Sequence, residues 1–178
     1  RTVTSRELEG CWELQEQQFS DGRAVLFNWE ASTWQFVGAD LTDSGTFSSD
    51  QIGGTFSRDG SLYYFVQDDV LCRADVATGQ TERVALESDM RFLDVSGILP
   101  DSETLFLHCL LSPYSTESGT AILNVETGAY TMLQKDWYEP YCGAEGPEFL
   151  QFDNETMGYD VLYASEGRYY RADAALLH

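Results

Sequence analysis

Short apolar runs recur along this chain, each introduced by an aspartate-bearing turn and followed by an aspartate- or asparagine-to-glycine bend. One copy opens at Ser57-Arg58-Asp59-Gly60. It leads into Leu62-Tyr63-Tyr64-Phe65-Val66, a continuous aromatic and aliphatic run too short for a stable helix, which reads as a buried strand. After Asp68-Asp69 a second strand runs through Val70-Leu71-Cys72. The chain then bends at Asp75-Val76-Ala77-Thr78-Gly79 before a third strand at Thr81-Glu82-Arg83-Val84. The bend has a mechanism: the carboxylate accepts backbone N–H groups within the turn, and glycine takes the left-handed conformation that closes a hairpin loop.

Three further copies follow the same plan. Leu99-Pro100-Asp101-Ser102 precedes the strand run Thr104 to Leu111, then Ala121-Ile122-Leu123, a bend at Asn124-Val125-Glu126-Thr127-Gly128, and Tyr130-Thr131-Met132-Leu133. Asparagine makes the same local hydrogen bonds as the aspartate it replaces. An earlier copy runs from Ser20-Asp21-Gly22 through Ala24 to Phe27 and Trp34 to Val37, with its bend expected at Asp40 to Gly45. A later one runs from Phe152-Asp153-Asn154 through Val161-Leu162-Tyr163 to Tyr170 and beyond. Taking the turns at positions 21, 59, 101 and 153, successive copies begin 38, 42 and 52 residues apart, the length of a four-stranded sheet with variable loops. The triplet Arg73-Ala74-Asp75 returns as Arg171-Ala172-Asp173, 98 residues on, which is two such periods. Helix is confined to one turn near Thr4 to Leu8 and one at Ala174 to Leu177.

This pattern resembles the TolB-like and WD-type β-propeller repeat, in which Asp-Gly precedes a hydrophobic strand and Asp-x-x-x-Gly joins the next two. The resemblance covers roughly residues 11 to 175, and it carries no Trp-Asp dipeptide or Gly-His signature. It implies an all-β, β-propeller-like fold of about four antiparallel blade units, approximately 11–54, 55–95, 96–140 and 141–178. Those units form either a small closed propeller or part of a larger one. An open meander or two packed sheets are the competing arrangements. In a closed ring, Cys11 and Cys142 fall near the start of the first and last units, so a Cys11–Cys142 disulfide is expected there. The alternative is four free thiols, since Cys72 and Cys109 lie inside apolar runs.

Charge removes several classes of partner. Thirty acidic residues against ten basic ones give a net charge of −20, and Lys135 is the one lysine. Such a surface repels phosphate, which argues against nucleic acid and anionic lipid as partners. No apolar run of membrane-spanning length is present, so no membrane insertion is expected. The chain starts at Arg1 with no basic segment leading into an apolar one, which points to a processed or trimmed N-terminus.

No compact catalytic motif stands out. His108 and His178 are the two histidines. In Phe106-Leu107-His108-Cys109, strand alternation directs His108 and Cys109 to opposite faces, against a Cys–His dyad. Carboxylates such as Asp68, Asp69, Glu117, Glu145 and Glu148 supply acid pairs with no shared motif. Asp153-Asn154-Glu155 with Asp160, and Asp40 with Asp43, offer oxygen ligands without the order of a calcium loop, and turn capping explains them better. Asn154-Glu155-Thr156 is a glycosylation sequon. Gly53-Gly54 lacks the helix that a phosphate loop requires. No metal and no cofactor are expected. Trp137, Tyr138 and Tyr141 place three aromatics in a connection between units and are the candidate ligand-binding residues. The reading is a non-enzymatic, extracytoplasmic or secreted bacterial binding or sensing module, its ligand a protein, small molecule or carbohydrate. The alternatives are a carboxylate-based hydrolase or lyase and a structural domain that pairs with another chain.

Overall fold

A computed structural model describes residues 9–15, 17, 19–86, 90–98, 103–110, 112, 114, 116–133, 139–143, 146–153, 158–165 and 168–173. Among them the chain forms four four-stranded antiparallel sheets, each a meander of consecutive strands. The first comprises β1 (Trp12–Leu14), β2 (Ala24–Asn28), β3 (Thr33–Val37) and β4 (Asp43–Ser48). The second comprises β5 (Gly54–Phe56), β6 (Leu62–Gln67), β7 (Val70–Asp75) and β8 (Thr81–Arg83). The third comprises β9 (Phe92–Ile98), β10 (Thr104–Leu110), β11 (Ser118–Asn124) and β12 (Tyr130–Leu133). The fourth comprises β13 (Glu139–Gly143), β14 (Gly146–Asp153), β15 (Gly158–Ser165) and β16 (Arg168–Asp173). The opening strands converge: β9 runs beside β5 and beside β13, as the inner strands of propeller blades do. The two expected helical turns lie outside the described residues.

The bends behave as their residues dictate. Asp75 Oδ1 accepts Thr78 N at 2.7 Å and Thr78 Oγ1 at 2.8 Å, while Gly79, at φ 71°, returns its N–H to the Asp75 carbonyl at 2.8 Å. Asn124 repeats the arrangement, with Oδ1 accepting Thr127 N at 2.8 Å and Thr127 Oγ1 at 2.9 Å. Asp68 and Asp69 form the two-residue β6–β7 hairpin loop, with φ of 52° and 62° at the two positions. They are turn residues, and Asp69 is ion-paired with Arg91. The first sheet departs from expectation. Its bend is Gly38 to Thr42, where Gly38 N donates to Thr42 O at 2.9 Å and Leu41 has φ 65°. Asp43, Ser44 and Gly45 belong to β4, because a register shift opposite Phe36 and Val37 absorbs the extra residue.

Alternation along the strands gives the second sheet two buried faces. Tyr63, Phe65, Cys72 and Ala74 join Val25, Phe27, Trp34, Phe36 and Phe47 of the first sheet in one buried cluster. This side is aromatic: the Trp34 ring lies 4.7 Å from Phe27, 5.0 Å from Tyr63 and 5.8 Å from Phe56, centroid to centroid. Tyr64 and Leu71 point the other way, into a largely aliphatic cluster with Leu105, Leu107, Ala121 and Leu123 of the third sheet. Phe106 and Ile122, on the third sheet's opposite face, are buried as well. The first sheet differs: on the face turned from the second sheet, Leu14 is 63% exposed and Leu26 only half-buried.

Hydrogen bonds from Thr78 hold the Asp75 carboxyl below its ordinary value of 3.8, so its stabilisation is present above that value and is lost as pH falls through the lowered one. Asp75→Asn is therefore expected to flatten the acid limb of a stability-versus-pH curve while keeping the turn, as Asn124 does. Asp75→Ala should lower stability at neutral pH also. Urea midpoints across the acid range check both.

Candidate functional site

The turn at residues 57–60 is a junction between sheets and is held by Arg23, which also lines the described concavity. Asp59 Oδ1 accepts Ser57 Oγ, Ser61 N and Ser61 Oγ at 2.8, 2.9 and 2.7 Å. These bonds, led by the Ser61 hydroxyl, keep the Asp59 carboxyl below its ordinary value. The first sheet grips the turn from one side, with Ser20 N donating to Arg58 O at 3.0 Å and Arg23 Nη2 donating to Asp59 O at 2.6 Å. From the other side the third sheet brings Glu103 Oε1 to Arg58 N at 3.4 Å. Arg23 and Glu103 each stand two residues after the turn aspartate of their own copy, Asp21 and Asp101.

Arg23 is fixed on several sides. Its guanidinium carbon lies 5.3 Å from the Phe36 centroid and 5.5 Å from that of Phe19, within cation–π range. Its Nε pairs with Asp21 Oδ2 at 2.6 Å. The Arg23 backbone N–H, followed by its side chain, holds the Asp21 carboxyl below its ordinary value against desolvation. Beside it opens a groove of about 410 Å³ lined by Leu14, Gln15, Gln17, Phe19, Arg23 and Ala24. Gln17 closes one end by acting as a missing strand. Its Oε1 accepts Phe56 N at 3.0 Å and Thr55 Oγ1 at 3.3 Å, and its Nε2 donates to Phe56 O. The open edge of β5 thereby gains a side-chain amide in place of a backbone one. The groove combines apolar walls with amide and guanidinium edges, a lining suited to a small ligand with an apolar body.

The residues singled out from the sequence are dispersed. Trp137 and Tyr138 lie outside the described residues, as do Glu145, Asn154, Glu155 and His178; Tyr141 is on β13 opposite Glu148. Cys11 is an exposed thiol ahead of β1, and Cys142 lies in β13 opposite Pro147. Cys72 and Cys109 are buried free thiols, and burial pushes Cys109 up to about 11. Cys109 joins the cluster facing the second sheet, while its neighbour His108 pairs across the ladder with Asp94 and Thr120. Asp40 caps its own turn, accepting Thr42 N at 3.1 Å and Thr42 Oγ1 at 2.7 Å. Asp153 ends β14, and Asp160 lies on β15 opposite Gln151 and Asp173. Among the described residues no group of three or more His, Cys, Asp or Glu side chains is placed to hold a metal ion. The groove residues were missed. The available signal was Arg23, a scarce basic residue immediately after an Asp-Gly turn.

Four-stranded antiparallel meanders stacked face to face, with their opening strands converging, define a β-propeller-type fold. Among solved structures the chain is similar to TolB from Acinetobacter baumannii, with a TM-score of 0.51 at 13% identity over 84% of this chain and 40% of that one. It is also similar to the acylaminoacyl peptidase of Pyrococcus horikoshii, with a TM-score of 0.47 at 11% identity over 85% of this chain and 30% of that one. The fold is TolB-like, and this chain spans less than half the length of either structure. No family model matches the sequence, and no curated protein does. Among the described residues no helix is long and apolar enough to cross a membrane.

Gly60 and Gly79 separate packing from backbone conformation. Both have positive φ, but a Cβ on Gly60 would lie 3.0 Å from Arg23 Nη2 and 3.1 Å from the Phe19 ring, whereas one on Gly79 meets nothing within 4 Å. Gly79→Ala should lose roughly 1–2 kcal/mol from the left-handed backbone alone. Gly60→Ala should lose more, and equilibrium unfolding of the two variants measures the difference.

Proposed function

We propose that this chain is a non-enzymatic binding or sensing module on a propeller scaffold, which takes a ligand at the groove beside Arg23. The observation that carries this reading is the pairing of that groove with Leu14, an apolar side chain left 63% exposed on a strand whose sheet buries its other face. Arg23 and Gln17 are held rigid by their own hydrogen bonds, so the walls are organised before a ligand arrives. The ligand is a saccharide or a short peptide, for which amide edges and an apolar floor are complementary. The strong negative charge disfavours nucleic acid and anionic lipid surfaces. In this reading the module is part of a bacterial protein that works outside the cytoplasm, which the repeat's resemblance to TolB-like propellers supports. Trp137, Tyr138 and Tyr141 are a second candidate surface within the same reading.

The test is a chemical-shift screen of the labelled protein against mono- and disaccharides and short mixed peptides. Shifts are expected to centre on Leu14, Gln15 and Ala24, and Leu14→Asp should weaken binding at least about ten-fold, or 1.4 kcal/mol. Shifts centred on Tyr141 would move the site to the aromatic connection. No binder in the set, or undiminished binding in Leu14→Asp, would count against the groove.

The exposed far face of the first sheet also favours a second reading, an assembly domain that stacks this face on a sheet of another chain. Concentration-dependent dimerisation that Leu14→Asp abolishes would support it.

A further inference from the structure

Glu103 is a half-buried acid outside the groove, with one carboxyl oxygen closed off from solvent. It precedes β10 at the boundary between the second and third sheets, and its backbone carbonyl accepts Val125 N at 3.0 Å. Its Oε1 meets Arg58 N at 3.4 Å, near the limit of a hydrogen bond. Its Oε2 is inaccessible to solvent and receives no hydrogen bond from the described residues. Among the described residues, titratable and charged groups act on it from several neighbouring elements. The turn before β6 supplies Asp59 and Arg58, and the β11–β12 bend supplies Glu126. β6 supplies Tyr64, whose hydroxyl is bonded to Arg73 of β7. A carboxylate at Glu103 would be opposed by the charges of Asp59 and Glu126, while Arg58 acts the other way through its backbone N–H and its charge.

We propose that Glu103 is a proton-controlled catch between the second and third sheets, seating the third sheet on the 57–60 turn when neutral and loosening that seat when ionised. Ionisation strengthens the bond from Arg58 N, yet it also places a charge on a buried oxygen with two like charges facing it, and the penalty outweighs one long hydrogen bond. Burial, ahead of the Asp59 and Glu126 charges, accordingly raises the Glu103 carboxyl above its ordinary value of 4.5. The folded chain thus holds this proton more tightly than the unfolded one. Its contribution is complete below about 4.5 and is lost as pH rises through the raised value. Asp21, Asp40, Asp59 and Asp75 are all shifted downward, so Glu103 works against the acid sensitivity of the rest.

The experiment compares wild type with Glu103→Gln from about pH 4 to about pH 8, by urea midpoint and by amide hydrogen exchange at Arg58 and Val125. Wild type should lose stability relative to Glu103→Gln as pH rises. At the upper end its Arg58 and Val125 amides should exchange roughly three- to ten-fold faster than those of the variant at the same pH. Glu126→Gln, an exposed change that leaves the catch in place, should protect the same two amides at neutral pH, and should do nothing when combined with Glu103→Gln. Parallel pH curves, or a Glu103→Gln variant less stable than wild type at the upper pH, would overturn the proposal.

Discussion

Hydrogen bonds to a single four-residue turn tie three sheets together. Arg58 N, Arg58 O and Asp59 O are taken up by Glu103, Ser20 and Arg23. Arg58 and Asp59 are exposed, so each of these bonds competes with water and contributes modestly, about 0.5–1.5 kcal/mol, and it is their convergence on one turn that fixes how the sheets meet. Within the turn, Asp59 and two serines set its shape. Between sheets, the repeat uses the residue two places after the turn aspartate to reach its neighbour: a donor, Arg23, on one side and an acceptor, Glu103, on the other. Arg23, reaching toward Asp59, sets its guanidinium over the Phe19 ring, and both residues line the groove with Leu14.

Apolar packing supplies the bulk of the stabilisation, and it is divided by chemistry. Rings fill the space between the first and second sheets, where edge and tilted contacts are worth about 0.5–1.5 kcal/mol each beyond the area they bury. Aliphatic side chains fill the next space. A strand alternates its side chains, so one run such as Leu62 to Val66 serves both layers at once. This explains why it is apolar throughout instead of every second residue.

Much of the fold was legible because its signals are local. The second and third strands of the first three sheets, and the fourth strands of the second and third, follow from apolar runs and from bends whose residues, Asp75 with Gly79 and Asn124 with Gly128, have few other uses. The opening strands were not legible. β1 and β5 are three residues long, and β9 carries two register shifts, so none shows a clean period of two. Their strand character comes from pairing with the next strand, which is a tertiary effect. The bend expected at Asp40 to Gly45 failed for a related reason: two aspartates, a serine and a glycine satisfy turn chemistry equally well two residues apart, and only the pairing of β4 with β3 decides between them. The groove was invisible for a different reason. Leu14, Phe19 and Arg23 look unremarkable in order along the chain, and they acquire a common purpose once β1 lies against β2.

The two-sided second sheet also governs where this chain can change length. Adding or deleting one residue inside β6 would turn Tyr63 and Phe65 toward the aliphatic layer and Tyr64 toward the rings, inverting both interiors together. An insertion at a hairpin tip, such as the stretch between β10 and β11, leaves every layer assignment intact. Natural drift in such a lineage would therefore lengthen its loops freely while the strand interiors kept a fixed residue count.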